Sequence, residues 1–300
     1  MKHIFIINPK AGVRNSFDTL KKEIEDIKNL DYVIYETKAH RDAIIFVKEY
    51  ITEHPGEELR FYACGGDGTL FEVINGASGA SNVEISCVPV GSGNDFLKYF
   101  GDPERFKDIN NLVNGTVCDI DLLKFNDIYI ANIFNIGFDS RVVVKQAKIK
   151  KWPLMSGKGA YNLSVFFSLF GKMSWKCKLL VDEEVVYDGK MTLAAIANGI
   201  CYGGGYYCCP KAKVDDGLID ICLVKKVSIL TFAKLVGKYK AGRHLDDEKV
   251  MKHLIYKQGK KIQLELSKVL PYSADGEIDY SNNVNIEIVN KCCKFVVPKV

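Results

Sequence analysis

One stretch of this chain has the residue types and spacing that phosphate chemistry needs: Gly65, Gly66, Asp67, Gly68 and Thr69. A short apolar run, residues 61–64, precedes it. Leu70, Val73, Ile74 and Ala77 follow at helical spacing, with Asn75-Gly76 as a stop signal. A glycine turn between a strand and a helix presents main-chain N–H groups and the positive end of a helix dipole, which suits phosphate. Asp67 would repel a bare phosphate, but it suits the Mg²⁺ that accompanies a nucleotide, held directly or through water. An ordinary tight strand-to-helix turn is the plain alternative, and Asp and Thr among three glycines count against it.

Other chemistries lack their residues. The Walker A pattern, the protein-kinase motif set, GxGxxG and GxSxG are all absent. The histidines are scattered without metal spacing. Cys208-Cys209 and Cys292-Cys293 are adjacent pairs, the wrong spacing for a zinc site and strained as disulfides, so the ten cysteines read mainly as small buried apolar residues.

The elements that must position the glycine turn alternate. Residues 3–7 read as a strand ending in Asn8-Pro9-Lys10-Ala11-Gly12. Phe17, Leu20, Ile24 and Ile27 give an amphipathic helix. Residues 32–35 are a second strand closing at Thr37, and Ile44, Val47 and Ile51 mark a second helix. Residues 84–90 are a fourth strand, ending in Gly91-Ser92-Gly93-Asn94-Asp95. This order implies a parallel sheet with helices on both faces, whose ligands bind beyond the strand C-terminal ends. The loops NPKAG, GGDGT and GSGND, with Thr37, are expected to converge on one crevice. Asn94-Asp95 taken alone reads equally well as a helix N-cap.

Near residue 118 the texture changes to hairpins. Short strands are expected, divided by Asn126-Asp127, Asp188-Gly189, Asp216-Gly217 and Asp275-Gly276, with one helix over residues 229–239. The expected fold is therefore α/β plus β: an N-terminal parallel-sheet nucleotide-binding domain, residues 1–117, and a C-terminal β-rich, sandwich-like domain, residues 118–290. Residues 291–300 are expected as a short strand packing back on the first domain. Within the second domain, Lys145, Lys148, Lys150, Lys151 and Lys158 surround Trp152-Pro153, and a bulky apolar run with Phe166, Phe167 and Phe170 closes at Met173 and Trp175. That segment suits either a membrane interface or a helix packed on the β-rich domain.

Composition sets outer bounds. Three hundred residues with 47% hydrophobic side chains can build one large core or two modest ones. The net charge of +4 is compatible with a nucleotide or an anionic membrane surface and too weak to argue for nucleic acid. No run of about 18 uncharged apolar residues is present. Met1-Lys2 leads straight into an apolar strand rather than a secretory signal, so a reducing cytoplasm is expected, with peripheral contact at the membrane left open.

GGDGT followed by a helix and Asn-Gly resembles the diacylglycerol kinase catalytic domain, in the branch of bacterial lipid kinases related to sphingosine and ceramide kinases. NAD kinases and phosphofructokinases share a similar turn. A longer composite separates them: Ala197-Asn198-Gly199, Gly203-Gly204-Gly205, Pro210 and residues 215–220, DDGLID, are similar to that family's most distinctive run, and residues 135–139, NIGFD, resemble another of its signatures. The resemblance extends over nearly the whole chain. It implies transfer of the γ-phosphoryl group of ATP to a lipid hydroxyl, most naturally diacylglycerol giving phosphatidic acid, with ATP and Mg²⁺ as cofactors and a lipid met at the membrane surface.

Residue by residue, the resemblance implies nucleotide contacts from Asn8, Pro9, Lys10, Ala11, Gly12, Thr37, Gly65, Gly66, Asp67, Gly68, Thr69, Glu72 and Ser92. It implies a Mg²⁺ held away from the nucleotide by Lys213 and Leu218 through carbonyls and by Asp216 through its carboxylate. It places the catalytic carboxylate on Ser273-Ala274-Asp275-Gly276-Glu277, with Glu277 or Asp275 as base and Asp67 beside the phosphates. Two alternatives stay open: a soluble-substrate kinase of NAD kinase type, and a non-catalytic lipid or nucleotide sensor. A homodimer is compatible with the sequence.

Overall fold

The structure, a computed structural model, describes residues 1–12, 16–91, 93–149, 164, 168 and 171–299. Ser92 and nearly all of the 150–170 segment, and with them the membrane-or-core question, lie outside the described residues.

The first half winds β1 (Lys2–Ile7), α1 (Ser16–Glu25), β2 (Tyr32–Glu36), α2 (Asp42–Glu53), β3 (Leu59–Gly65), α3 (Asp67–Ala77) and β4 (Val83–Pro89). The strands pair in parallel in the order β2-β1-β3-β4. β3 is buried along its whole length, as its unbroken apolar run requires of a strand covered on both faces. The order reverses at the β1–β3 pair, so the loops leaving these two strands diverge and open a crevice at their C-terminal ends. A short α4 (Ile109–Val113) leads out of this half.

The second half holds β5 (Thr116–Phe125), β6 (Ile128–Ile130), β7 (Ile133–Gly137), α5 (Phe138–Ile149), β8 (Trp175–Val181), β9 (Glu184–Ala197), β10 (Ile219–Lys225), α6 (Ile229–Lys240), α7 (Glu248–Met251), β11 (Leu254–Gly259), β12 (Lys261–Ala274) and β13 (Glu277–Val297). Its strands pair antiparallel around a core that includes Phe125, Phe134, Leu179, Ile221, Leu264 and Ile286. A separate cluster, with Phe138, Leu193, Cys222 and Tyr239, lies under α6. All ten cysteines are unpaired, and eight of them are buried.

Three expectations are corrected here. Asp188-Gly189 makes no turn: β9 runs through it, and the β8–β9 hairpin turns at Asp182-Glu183, both at positive φ (49° and 70°). Asp216-Gly217 makes no tight hairpin turn: it lies in the long connection that joins β9 to its antiparallel partner β10. Asn126-Asp127 and Asp275-Gly276 do close hairpins of adjacent strands, β5–β6 and β12–β13, with Asn126 at φ 53° and Asp275-Gly276 at φ 47° and 98°. Nor are residues 291–297 a separate strand. They finish the 21-residue β13, which pairs β12 at its start and reaches β4 in parallel through Lys294 and Phe295. Ser86 seals that junction by donating to the carbonyl of Val296 at 2.8 Å.

Candidate active site

Close packing of main chain fixes the glycine loops. A Cβ on Gly65 would lie 2.1 Å from the Thr69 hydroxyl, one on Gly91 would lie 2.8 Å from the Gly66 Cα, and one on Gly12 would strike the Val90 carbonyl. The carbonyl of Gly65 accepts the N–H groups of Val90 and Gly91, both at 2.9 Å, binding the third loop to the fourth. Asn8 ties in the first: its amide donates to the Thr69 hydroxyl at 3.2 Å, and its side-chain oxygen accepts the N–H of Lys10. Helix α3 starts at Gly66 without any side-chain cap, so its first turn meets the cleft with bare main chain.

Two adjoining cavities result. A pocket of about 200 Å³ gathers Asn8, Lys10, Thr37, His40, Thr69 and Glu72. A larger cleft of about 670 Å³ has Gly66, Asp67, Gly68, Gly93 and Asp95 on one wall, and Ile133, Phe138, Val142, Val143, Phe232 and Val236 on the other, with Asp275, Gly276 and Glu277 between them. Of the remaining expected nucleotide contacts, Pro9 and Gly12 are exposed beside the first loop. Ala11 packs on the core, and Gly65 is buried beneath the third loop.

The carboxylates differ in how they are held. Glu72 is buried, its two oxygens accepting the N–H groups of Arg41 at 2.9 Å and Ala43 at 3.1 Å, so it caps α2. Asp67 accepts the N–H of Asp95 at 2.8 Å; burial, and next the Asp95 charge, push its pKa up to about 6. Asp95 in turn pairs with Lys98 and accepts the N–H of Gly204 at 2.8 Å, linking the fourth loop to the triple-glycine loop of the second half. Asp275 accepts N–H groups from Ala131 and Ile133, both at 2.8 Å, and from Asn132. Burial raises its pKa to about 7 against the pull of those donors.

Glu277 stands apart. Its side chain is 24% exposed, and one oxygen lies 3.1 Å from Nε2 of His40. His40 faces Glu72 on its other side, Nδ1 to carboxylate 3.6 Å. Glu277 also reaches the phosphate loop: a Cβ on Gly68 would stand 3.9 Å from its Oε1.

The three residues expected to hold Mg²⁺ fall in one short connection before β10. Asp216 is exposed, and its Oδ1 accepts the N–H of Leu218 at 3.1 Å; Lys213 is exposed beside it. No cluster of three His, Cys, Asp or Glu suited to a metal occurs among the described residues. A cation here would need carbonyls and water beside Asp216, an all-oxygen set that fits Mg²⁺. The connection is braced by the buried Asp121, which accepts N–H groups from Gly217 and Lys291, both at 2.7 Å.

Residues 2–125 match the family model described as the diacylglycerol kinase catalytic domain. Residues 132–297 match that described as the YegS C-terminal NAD kinase beta sandwich-like domain. The chain belongs to the YegS–diacylglycerol kinase family of lipid kinases. It is 28% identical over 312 residues to a diacylglycerol kinase of Bacillus subtilis strain 168, covering 98% of this chain and 95% of that one. It is 29% identical over 246 residues to a diacylglycerol kinase of Mycobacterium tuberculosis strain H37Rv, covering 78% and 75%. In fold it is similar to a diacylglycerol kinase crystal structure from Bacillus anthracis, with a TM-score of 0.73 at 22% identity, covering 98% of this chain and 96% of that one. It is also similar to an NAD kinase of Archaeoglobus fulgidus solved with ATP, with a TM-score of 0.51 at 13% identity, covering 100% and 94%.

Several roles at this lipid-kinase site were not read from the sequence. That of His40 is one, although its place in the loop after β2, three residues past Thr37, was a usable signal. That of Asp139 is another: its carboxylate accepts the Tyr202 hydroxyl in the cleft, and burial pushes its pKa up to about 6. Asp95 and Asp121 act through partners more than 90 residues away.

Proposed function

We propose that this kinase transfers the γ-phosphoryl group of ATP to the hydroxyl of a lipid alcohol, with diacylglycerol as the acceptor and phosphatidic acid as the product. The observation that carries the reading is the position of Glu277, between a wall of glycine loops and an apolar wall. In this reading Asn8, Lys10, Thr37, Gly66, Gly68 and Thr69 border the nucleotide, with Pro9, Ala11, Gly12, Gly65 and Ser92 completing their loops. Main-chain N–H groups at the start of α3 face the phosphates. Glu72 shapes this pocket indirectly, by fixing α2 and His40.

Glu277 takes the proton of the attacking hydroxyl as the new P–O bond forms and the bond from the γ-phosphorus to the β–γ bridging oxygen breaks, with ADP as the leaving group. Asp275 is the weaker candidate for that step, since three main-chain donors already engage it; its role is to hold the turn that aims Glu277. Asp67 borders the phosphates and orders the fourth loop. Mg²⁺ bound with the nucleotide would neutralise the phosphate charge. Asp216, with the carbonyls of Lys213 and Leu218, would hold a second ion that steadies the connection before β10. Catalysis is then positioning and charge stabilisation.

The test is transfer from γ-³²P-labelled ATP to a panel of diacylglycerol, ceramide, sphingosine and undecaprenol in mixed micelles, with NAD alongside. Label in diacylglycerol that disappears in Glu277→Gln is the expected result. Label in another lipid would keep the mechanism and change the acceptor. Label in NAD alone would overturn the reading.

A further inference from the structure

Residues 225–240, KKVSILTFAKLVGKYK, hold five lysines and no acidic residue. Ser228 caps α6, its hydroxyl accepting the N–H of Thr231 at 3.1 Å. The helix turns Phe232, Leu235, Val236 and Tyr239 inward, at i, i+3, i+4 and i+7. Its first turn breaks the usual rule for the outer face. Leu230 is 77% exposed, the most exposed large apolar side chain among the described residues, and its neighbour Ile229 is 44% exposed. Lys226 precedes this pair and Lys234 follows it one turn on, both exposed. Further along, Lys238 pairs with Asp247, and Lys240 sits over the Tyr206 ring.

The position of this patch matters as much as its chemistry. Phe232 and Val236 of the same helix line the apolar wall of the cleft, and the Phe232 ring packs on Phe138 of α5 at 4.9 Å. One helix therefore shows the cleft its inner side and solvent an aliphatic tip ringed by cations.

We propose that α6 is an interfacial helix whose first turn docks on an anionic lipid bilayer. Ile229 and Leu230 enter the acyl boundary, and Lys226 and Lys234 meet the phosphate headgroups. Charge decides between occupants. A second copy of this chain meeting the patch about a two-fold axis would set lysine against lysine, whereas an anionic bilayer supplies the missing negative charge. The inference deepens the lipid-kinase reading, because it delivers an acceptor to the cleft without passage through water. Docking itself does not depend on turnover.

Sedimentation with phosphatidylcholine vesicles, alone or mixed with phosphatidylserine and free of diacylglycerol, reads docking directly. The full chain is expected to sediment with the anionic vesicles and to be released by salt. Leu230→Glu is expected to weaken this partition roughly tenfold, and Lys226→Glu with Lys234→Glu by at least as much. Turnover of a short-chain, monomerically dispersed diacylglycerol is expected to stay at the wild-type level in all three proteins. Equal sedimentation of wild type and variants overturns the proposal, as does sedimentation with neutral vesicles equal to that with anionic ones. A fall in short-chain turnover parallel to the loss of vesicle binding would mean a folding defect and would overturn it too. So would a wild-type dimer that Leu230→Glu dissociates while vesicle binding persists. If the wild type binds vesicles but phosphorylates no short-chain lipid, the lipid-kinase reading fails and the docking surface stands.

Discussion

On the loop wall of the cleft, nearly every acidic side chain is fastened by main-chain amides: Glu72 by Arg41 and Ala43, Asp67 by Asp95, Asp95 by Gly204. The facing wall of Phe138, Val142, Phe232 and Val236 is built of apolar side-chain contacts, with the Asp139–Tyr202 pair beside it and Ser140 fastening α5 to the Pro271 carbonyl at 2.6 Å. Amide-fastened carboxylates resist displacement, because freeing one strands buried donors. Apolar contacts are non-directional and tolerate exchange at similar volume. The loop wall is therefore suited to a fixed, polar ligand and the apolar wall to a pliable one. Glu277 belongs to neither scheme, since its carboxylate faces the exposed imidazole of His40.

The sharpest test of that division is Glu277→Gln. It should lower kcat by about 10² to 10⁴ while leaving the melting temperature and ATP binding unchanged; steady-state kinetics beside thermal unfolding separates the two. A parallel fall in stability would show that Glu277 is fastened after all.

Asp275→Asn should do the reverse. An amide offers one accepting oxygen where the carboxylate offers two, and its NH₂ would face main-chain donors, so urea unfolding should show a loss of about 1–3 kcal/mol. The pH dependence has a definite sign. The folded-state pKa of about 7 lies above the ordinary carboxylate value, so the neutral acid is the form that folding favours. Its contribution is complete below about pH 4 and is lost as pH rises through about 7. The gap between wild type and Asp275→Asn should thus be wider at pH 5 than at pH 8.

Phe232→Ala probes the apolar wall. The KM for a long-chain acceptor should rise roughly tenfold, with the KM for ATP unmoved. A shift in ATP affinity instead would break the division between the walls. The smallest effect belongs to His40→Gln. An exposed imidazole beside Glu277 contributes little screening or orientation, so kcat should fall only about two- to fivefold at unchanged KM.

What could be read in the sequence follows the same division. The glycine loops were legible because clustered glycines between a strand and a helix mark a close main-chain approach whatever the partner: a Cβ on Gly65 would strike Thr69, and one on Gly91 or Gly12 would strike a different loop. The strand and helix order of the first half was legible from apolar period alone. The use made of each carboxylate was not. Glu72, which lines the smaller pocket, also caps a helix whose Ala43 lies 29 residues away along the chain, and Asp275 engages amides more than 140 residues upstream. Such partners are set by tertiary packing, which spacing does not encode. Asp188-Gly189 misled for a related reason: turn chemistry is a local preference, and the long β8–β9 pairing overrode it.

β13 has a consequence for synthesis. Phe295 packs its ring against Phe96, Phe100 and Phe106, inside the core that the first hundred residues build. That core lacks its keystone ring until residues 294–297 have left the ribosome. Whatever the first half forms during synthesis, its core is completed only when β13 arrives, so the two halves finish folding together. A nascent chain stopped near residue 117 has β4 bare along the edge that β13 will cover, the kind of exposed strand edge that invites pairing with another chain.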